Sequence, residues 1–384
     1  YHVDPDVLES RYLVVDLYAP QVLENLEYTR IDPERGDQVR QDDVYIINRL
    51  IALGDFFLCA SERQRDFWLG ALAFAGRLDP AQLAADPELR SLIDIVPFGM
   101  PELDPVRTGD GPRAAFPAIQ PNDPILLWNG GLWNWLDPKT AIRAVALLAA
   151  RGLPVRLIFM GTKSPVANVA QMVVVDDARA LAAELGVLDR HVFFNDWVDY
   201  GERQNWLLEA TASLSLHVLN VEARYAFRTR LLDNLWCSLP AIATEGDVLA
   251  DLIRAEGIGI VVPPSDPVVI ADAIEQMLDP ETHRAMAERI KSVRTRFTWE
   301  RVSDPLLRYC RDPRRLGSTR GFDPTQSYIH HLERTYEQTA AYTQRLERVI
   351  AEKDEQLSTQ FRVRAFARDA WSAARSTIKN TSRR

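Results

Sequence analysis

Short apolar runs alternate with amphipathic stretches along most of this 384-residue chain. The run from Arg11 to Tyr18 reads as a buried strand through Leu13, Val14, Val15 and Leu17. Pro20 to Glu27 reads as a loop and short helix. Asp43 to Leu53 sets Val44, Ile46, Ile47, Leu50 and Ile51 at helical spacing. Phe56 to Ala60 predicts a second strand, after which Ser61 is placed to cap a helix from Glu62 to Leu72. Ile95 to Gly99 predicts another strand, ended by Gly-Met-Pro. From Pro101 to Pro124 the apolar pattern gives way to Pro, Gly, Asp and Arg, which marks a linker and a domain boundary.

Beyond the linker the alternation is stricter. Strands are predicted at Ile125 to Trp128, Val155 to Met160, His191 to Phe194, Ser213 to His217, Ala241 to Ala243 and Gly259 to Val262. Helices are predicted at Pro138 to Arg151, Asp177 to Leu185, Gly201 to Ala210, Arg230 to Trp236, Asp247 to Glu256 and Pro267 to Leu278. Short strands alternating with helices imply a parallel, doubly wound sheet whose loops converge at the strand C-termini. The expected division is 1–120 for a partial first domain and linker, 121–285 for the second domain, 286–315 for a segment crossing back, and 316–384 for a tail.

Composition narrows the function classes. A hydrophobic content of 47% with nine Trp fits packed cores. A net charge of −9 argues against nucleic acid as the main partner, because phosphate-backbone binding wants a basic face. The three cysteines, Cys59, Cys237 and Cys310, show no paired spacing and sit in apolar runs, so they read as buried free thiols in a reducing compartment. With no apolar run of membrane-spanning length and no leader-like opening, a cytoplasmic protein is expected. Tyr1 is not an initiator and a strand follows almost at once, so the sequence is expected to begin inside a domain.

The chemistry concentrates between Glu222 and Gly246. A loop carrying Arg228 and Arg230 leads into a helix bearing Asp233, then a Ser-Leu-Pro break and the strand Ala241 to Ala243. A loop followed by a helix at the C-terminal edge of a strand is where open α/β sheets take phosphates. The segment resembles the donor-binding motif of GT-B glycosyltransferases of the family 4 type, roughly Glu-x-Phe-Gly-x4-Glu followed by a Gly-Leu-Pro-Val-Val-Ala-Thr-like stretch. Ile125-Leu-Leu-Trp-Asn-Gly-Gly resembles that family's first strand and loop, with Gly130 at the glycine, Gly131 in place of the usual Arg, and Leu136 in place of the usual Lys. Asn195-Asp-Trp197-Val198 resembles its base-contacting Gly-x-Val segment, and Gly161 with Lys163 its next glycine loop. Asp55 to Arg65, Ile95 to Gly99 and Phe297 to Val302 resemble, in order, the end of the acceptor domain, the hinge segment and the start of the returning helix. The resemblance covers about Arg11 to Arg311.

The implied fold is α/β: two Rossmann-like doubly wound parallel-sheet domains of GT-B type, the first incomplete, plus a helical or coiled-coil tail. The implied site is as follows. Arg228 and Arg230 replace the missing phosphate cations, since guanidinium forks suit diphosphate oxygens, although two Arg at a helix start also form surface ion pairs. Asp233 aligns with the motif Glu that accepts from ribose hydroxyls; as a first-turn carboxylate it also suits the helix dipole. For the first motif carboxylate, strict spacing points to Tyr225, while Glu222 lies just upstream and is expected to reach the donor sugar. Phe227 and Thr229 belong to the same loop. His217 ends the preceding strand and is either a minor site candidate or a packing residue. Trp133, Trp135 and Asp137 crowd the loop after Gly131, where indoles serve a sugar or base face or anchor the loop.

The activity implied is metal-independent, retaining transfer of a sugar from a nucleoside-diphosphate donor to a bacterial surface or lipid-linked glycan. No cofactor is expected, and no Asp-x-Asp metal motif sits in a suitable loop. A non-catalytic nucleotide-sugar scaffold, which would explain the missing cations, and a sugar epimerase on the same fold stay open. In the tail, Ile329, Leu332, Tyr336, Thr339, Thr343, Leu346, Ile350, Lys353 and Leu357 form a heptad seam. It reads either as a homo-oligomerising coiled coil or as one amphipathic helix. The end, with Arg362, Arg364, Arg368, Arg375, Lys379, Arg383 and Arg384 among Phe361, Phe366 and Trp371, offers peripheral contact with anionic lipid at the inner face of the cell membrane, or is a solvated terminus.

Overall fold

A computed structural model of the chain describes residues 11–26, 33–163, 172–315, 329, 332–357 and 368. The chain divides into two compact units, Tyr1–Phe322 and Asp323–Arg384. The first unit contains two parallel sheets. One has three strands, β1 (Val14–Asp16), β2 (Phe56–Cys59) and β3 (Ile93–Ile95), in the order β1-β2-β3. The other has six: β4 (Ile125–Gly131), β5 (Arg156–Gly161), β6 (Val192–Phe194), β7 (Ala212–Ser215), β8 (Ala241–Thr244) and β9 (Gly259–Val262). Their order, β6-β5-β4-β7-β8-β9, reverses direction between β4 and β7, and every pairing is parallel. That reversal is the switch point at which an open α/β sheet leaves a crevice beyond its strand C-termini.

The strands are mostly apolar because helices cover both faces of a parallel sheet, with Ser213 and Ser215 of β7 among the buried exceptions. Ile125, Leu126, Leu127 and Trp128 are wholly buried in β4, and Leu157, Ile158 and Phe159 in β5. The core of the first sheet is Phe57, Cys59, Trp68, Leu72, Leu92 and Ile93. Local signals set several helix starts. Ser61 Oγ accepts from Gln64 N at 3.2 Å to open Glu62–Phe74, as its sequence position predicts. Gly257, at φ 61°, closes Val248–Glu256 in the left-handed conformation that glycine adopts without a Cβ clash.

Several expected elements shift. The third strand of the first sheet is Ile93–Ile95 rather than Ile95 to Gly99, since Pro97 lacks the N–H needed to continue the ladder. The helix expected at Gly201 to Ala210 shortens to a 3-10 turn, Tyr200–Glu202, and a short α-helix, Arg203–Leu207. The linker carries a helical turn at Pro112–Ala115. Cys59 is buried, but Cys310 is exposed on the helix Asp304–Arg311, against the expectation that all three thiols are inside. Burial raises the Cys59 and Cys237 thiols to about 12. Cys310 is therefore expected to react with Ellman's reagent at pH 8 in the folded protein, and the other two only on unfolding. Fast reaction of two or three thiols without denaturant would contradict this packing.

In the second unit, residues 332–357 form one helix, and the seam residues Leu332, Tyr336, Leu346, Ile350 and Leu357 lie exposed along it. Of the basic tail, Arg368 alone falls within the described residues. Among the described residues no helix is long and apolar enough to cross a membrane.

Candidate nucleotide-binding cleft

At the switch point lies a cleft of about 560 Å³. Its floor is the end of β4. The register of β4 against β5 shifts between Trp128 and Gly131, which lifts Asn129 and Gly130 out of the ladder. Gly130 has φ 127°, and a Cβ there would stand 3.3 Å from the Arg230 guanidinium carbon. Glycine thus serves twice, allowing the turn and letting the guanidinium approach the backbone.

Arg230 opens the helix Arg230–Trp236 and lines this floor. A polar network fixes the helix there: Asn129 Nδ2 donates to Arg230 O at 2.8 Å and to Asn234 Oδ1 at 3.0 Å, and Asn234 Nδ2 donates to Ser213 Oγ on β7. Arg230 Nη2 donates to Gly131 O at 3.2 Å, while Nη1 is buried with no partner among the described residues. Asn129 Oδ1, on the same floor, is likewise buried without a partner. Burial, then the nearby Arg228, pushes the Arg230 guanidinium down to about 10. A cation without a counterion among the described residues, with an unspent donor, beside two glycines at a switch point, is a site prepared for an anion.

The rest of the cleft is aromatic and polar. Trp197, with Val198 beside it, covers Gly161, where a Cβ would lie 3.2 Å from the indole ring. Asn195 Nδ2 fastens that loop by donating to Met160 O and Trp197 O. Trp133 lines the cleft and stacks on Trp135, with ring centroids 5.4 Å apart and planes 9° apart. Asp233 accepts from Arg203 Nε at 2.9 Å, and the Arg203 guanidinium lies over the Tyr200 ring at 3.6 Å. Burial raises the Asp233 carboxyl despite that arginine. Tyr18, Phe98, Gly99 and Trp299 complete the lining from the side of the first sheet and the returning helix.

Gly130, Gly131, Gly161, Trp197, Val198, Thr229, Arg230 and Asp233 thus meet in one cleft. The other expected residues are used differently. Arg228 binds Glu222 through a bidentate pair, Nη1 to Oε1 at 2.9 Å and Nη2 to Oε2 at 2.7 Å, with both side chains buried. Committed to each other, they present neither a fork to phosphate nor a carboxylate to a sugar. Trp135 is buried behind Trp133. Asp137 caps Pro138–Ala150, accepting from Thr140 N at 3.0 Å and Thr140 Oγ1 at 2.6 Å. His217 is buried, with Nε2 3.3 Å from Asp247 Oδ2. Phe227 packs with Leu231 and Leu232 in the apolar cluster under the helix. Lys163 is exposed, and its N–H donates to Asp196 O. Arg203, Asn129 and Tyr18 were not anticipated, since nothing in the spacing of the chain relates them to Asp233, Arg230 or Phe227.

The two parallel sheets and the switch-point topology together define a GT-B-like architecture. Residues 123–280 match the model of the family described as Glycosyl transferases group 1. A D-inositol 3-phosphate glycosyltransferase from Acidothermus cellulolyticus is 27% identical over 225 residues, 57% of this chain and 48% of its own. The chain thus spans about half the length of this curated relative. Sucrose-phosphate synthase from Thermosynechococcus elongatus superposes with a TM-score of 0.53 at 18% identity, covering 78% of this chain and 67% of the other. Anabaena HepE in complex with UDP and glucose gives 0.55 at 14% identity, covering 80% and 73%. A UDP-forming α,α-trehalose-phosphate synthase from Burkholderia xenovorans gives 0.55 at 12% identity, covering 80% and 70%. At these identities the structures show the fold.

Proposed function

We propose that the protein is a glycosyltransferase that takes a sugar from a nucleoside-diphosphate donor in this cleft and passes it, with retention and without a metal ion, to a glycan or lipid-linked acceptor. The observation that carries the donor half is the buried Arg230 guanidinium, without a counterion among the described residues, against Gly130 and Gly131 at the switch point. The ligands named for HepE and the product named for the trehalose-phosphate synthase agree with it. Retention and the acceptor class rest on the family resemblance.

In this reading Arg230 Nη1 takes a diphosphate oxygen, and the peptide at Gly130–Gly131 lies close to the diphosphate because no Cβ intervenes. Asp233, steadied by Arg203, accepts from ribose hydroxyls, and the exposed ring of Trp197 takes the base face. When the bond from the anomeric carbon to the diphosphate breaks, negative charge grows on the leaving oxygen. A preorganised cation in a partly dry cleft stabilises that charge more than the ground state, which is where rate is gained. The Glu222–Arg228 pair holds the loop that places Arg230.

The test is nucleoside diphosphate release from a panel of UDP-, GDP- and dTDP-sugars, with and without a lipid-extracted acceptor fraction. Release from donors of one base, increased by acceptor and lost in Arg230→Ala, is expected. Tight nucleotide binding with no release from any donor would instead mark a binding scaffold.

A further inference from the structure

We propose that Tyr18, which follows β1 in the first sheet, is a positioning residue for the cleft. By holding the backbone just before the helix Arg230–Trp236, it sets the direction in which Arg230 points. The proposal rests on the nucleotide reading above. Tyr18 lines the same cleft as Arg230, and its ring meets Phe98 edge-on with centroids 4.8 Å apart. Its hydroxyl donates to Phe227 O at 2.7 Å. Phe227 lies between the helix Val221–Tyr225 and the first helical bonds of the next, Leu231 N to Arg228 O and Leu232 N to Thr229 O.

A second grip lies two residues upstream, where Gln64 Nε2, also from the first-sheet side, donates to Tyr225 O at 2.8 Å. The residue between, Ala226, is extended at φ −65° and ψ 141°. Two carbonyls of this short stretch, those of Tyr225 and Phe227, are thus held by side chains from the other sheet's domain. With the Asn129 network and the Glu222–Arg228 pair, these grips set where the following helix begins to turn, and Arg230 is the first residue of that helix. Burial raises the Tyr18 hydroxyl to about 12, so it remains a donor at neutral pH.

Tyr18→Phe keeps the ring against Phe98 and removes only the hydroxyl. Calorimetric titration with UDP, GDP and dTDP is expected to show the best nucleotide bound about threefold to tenfold more weakly, with a thermal midpoint lowered only by the few degrees that one lost hydrogen bond allows. The effect is expected to vanish in an Arg230→Ala background, which a merely structural role would not do. Equal affinity of Tyr18→Phe and native protein, or the same loss in both backgrounds, would overturn the proposal. Failure of the native protein to bind any of the three nucleotides would overturn the nucleotide reading itself, and this proposal with it.

Discussion

Arg230→Ala is expected to bind nucleoside diphosphate about tenfold to a hundredfold more weakly than the native protein, since charge-assisted hydrogen bonds contribute about 1.5–3 kcal/mol. It is expected to unfold no earlier. That second half follows from the sign of the proton linkage. The guanidinium holds its proton less tightly in the fold, at about 10, than at its ordinary 12.5. The unfolded chain therefore binds more protons across that window, so stability rises with pH through it, and below it the buried charge is a standing cost to folding. An anion offsets that cost, and alanine removes it. Arg230→Lys, which keeps the charge and loses the fork, is expected to fall between. Loss of binding that tracks loss of stability would mean that Arg230 is a packing residue.

The opposite pattern is expected at the neighbouring Glu222–Arg228 pair. Glu222→Ala leaves the buried Arg228 guanidinium without its bidentate partner, Asp247 Oδ2 standing 3.8 Å off its Nε. Breaking one side of a buried pair costs about 3–5 kcal/mol, read here as a lower urea midpoint. Replacing both partners, as Glu222→Leu with Arg228→Met, is expected to recover most of that stability, because neither charge is left buried alone. If Glu222→Ala left stability untouched and abolished only sugar transfer, the pair would be reacting chemistry rather than a brace for the loop.

These two expectations show where the sequence was legible. Alternating apolar runs and capped helices led directly to parallel strands, because a strand covered on both faces must be apolar and a crossover helix must show its stripe. Gly130, Gly161 and Asp233 were singled out by their resemblance to family motifs, and the structure places them on one cleft. Arg228 and Arg230, two residues apart, were indistinguishable in the sequence. Only the short helix Val221–Tyr225 brings Glu222 within reach of Arg228 and leaves Arg230 alone. For Asp137 the signal was present and outweighed: an Asp before Pro138 is an ordinary helix opening, and the carboxylate is consumed by Thr140. Contributions from the first sheet, such as Tyr18 to Phe227, span some two hundred residues and follow from tertiary packing alone.

The most direct measurement is isothermal titration of the native protein and Arg230→Ala with UDP, GDP and dTDP. The central claim, that the switch-point cleft is a nucleotide site organised on Arg230, predicts micromolar binding of one nucleotide and at least a tenfold loss in the variant. Equal binding by both proteins would contradict it, as would no binding of any of the three by the native chain.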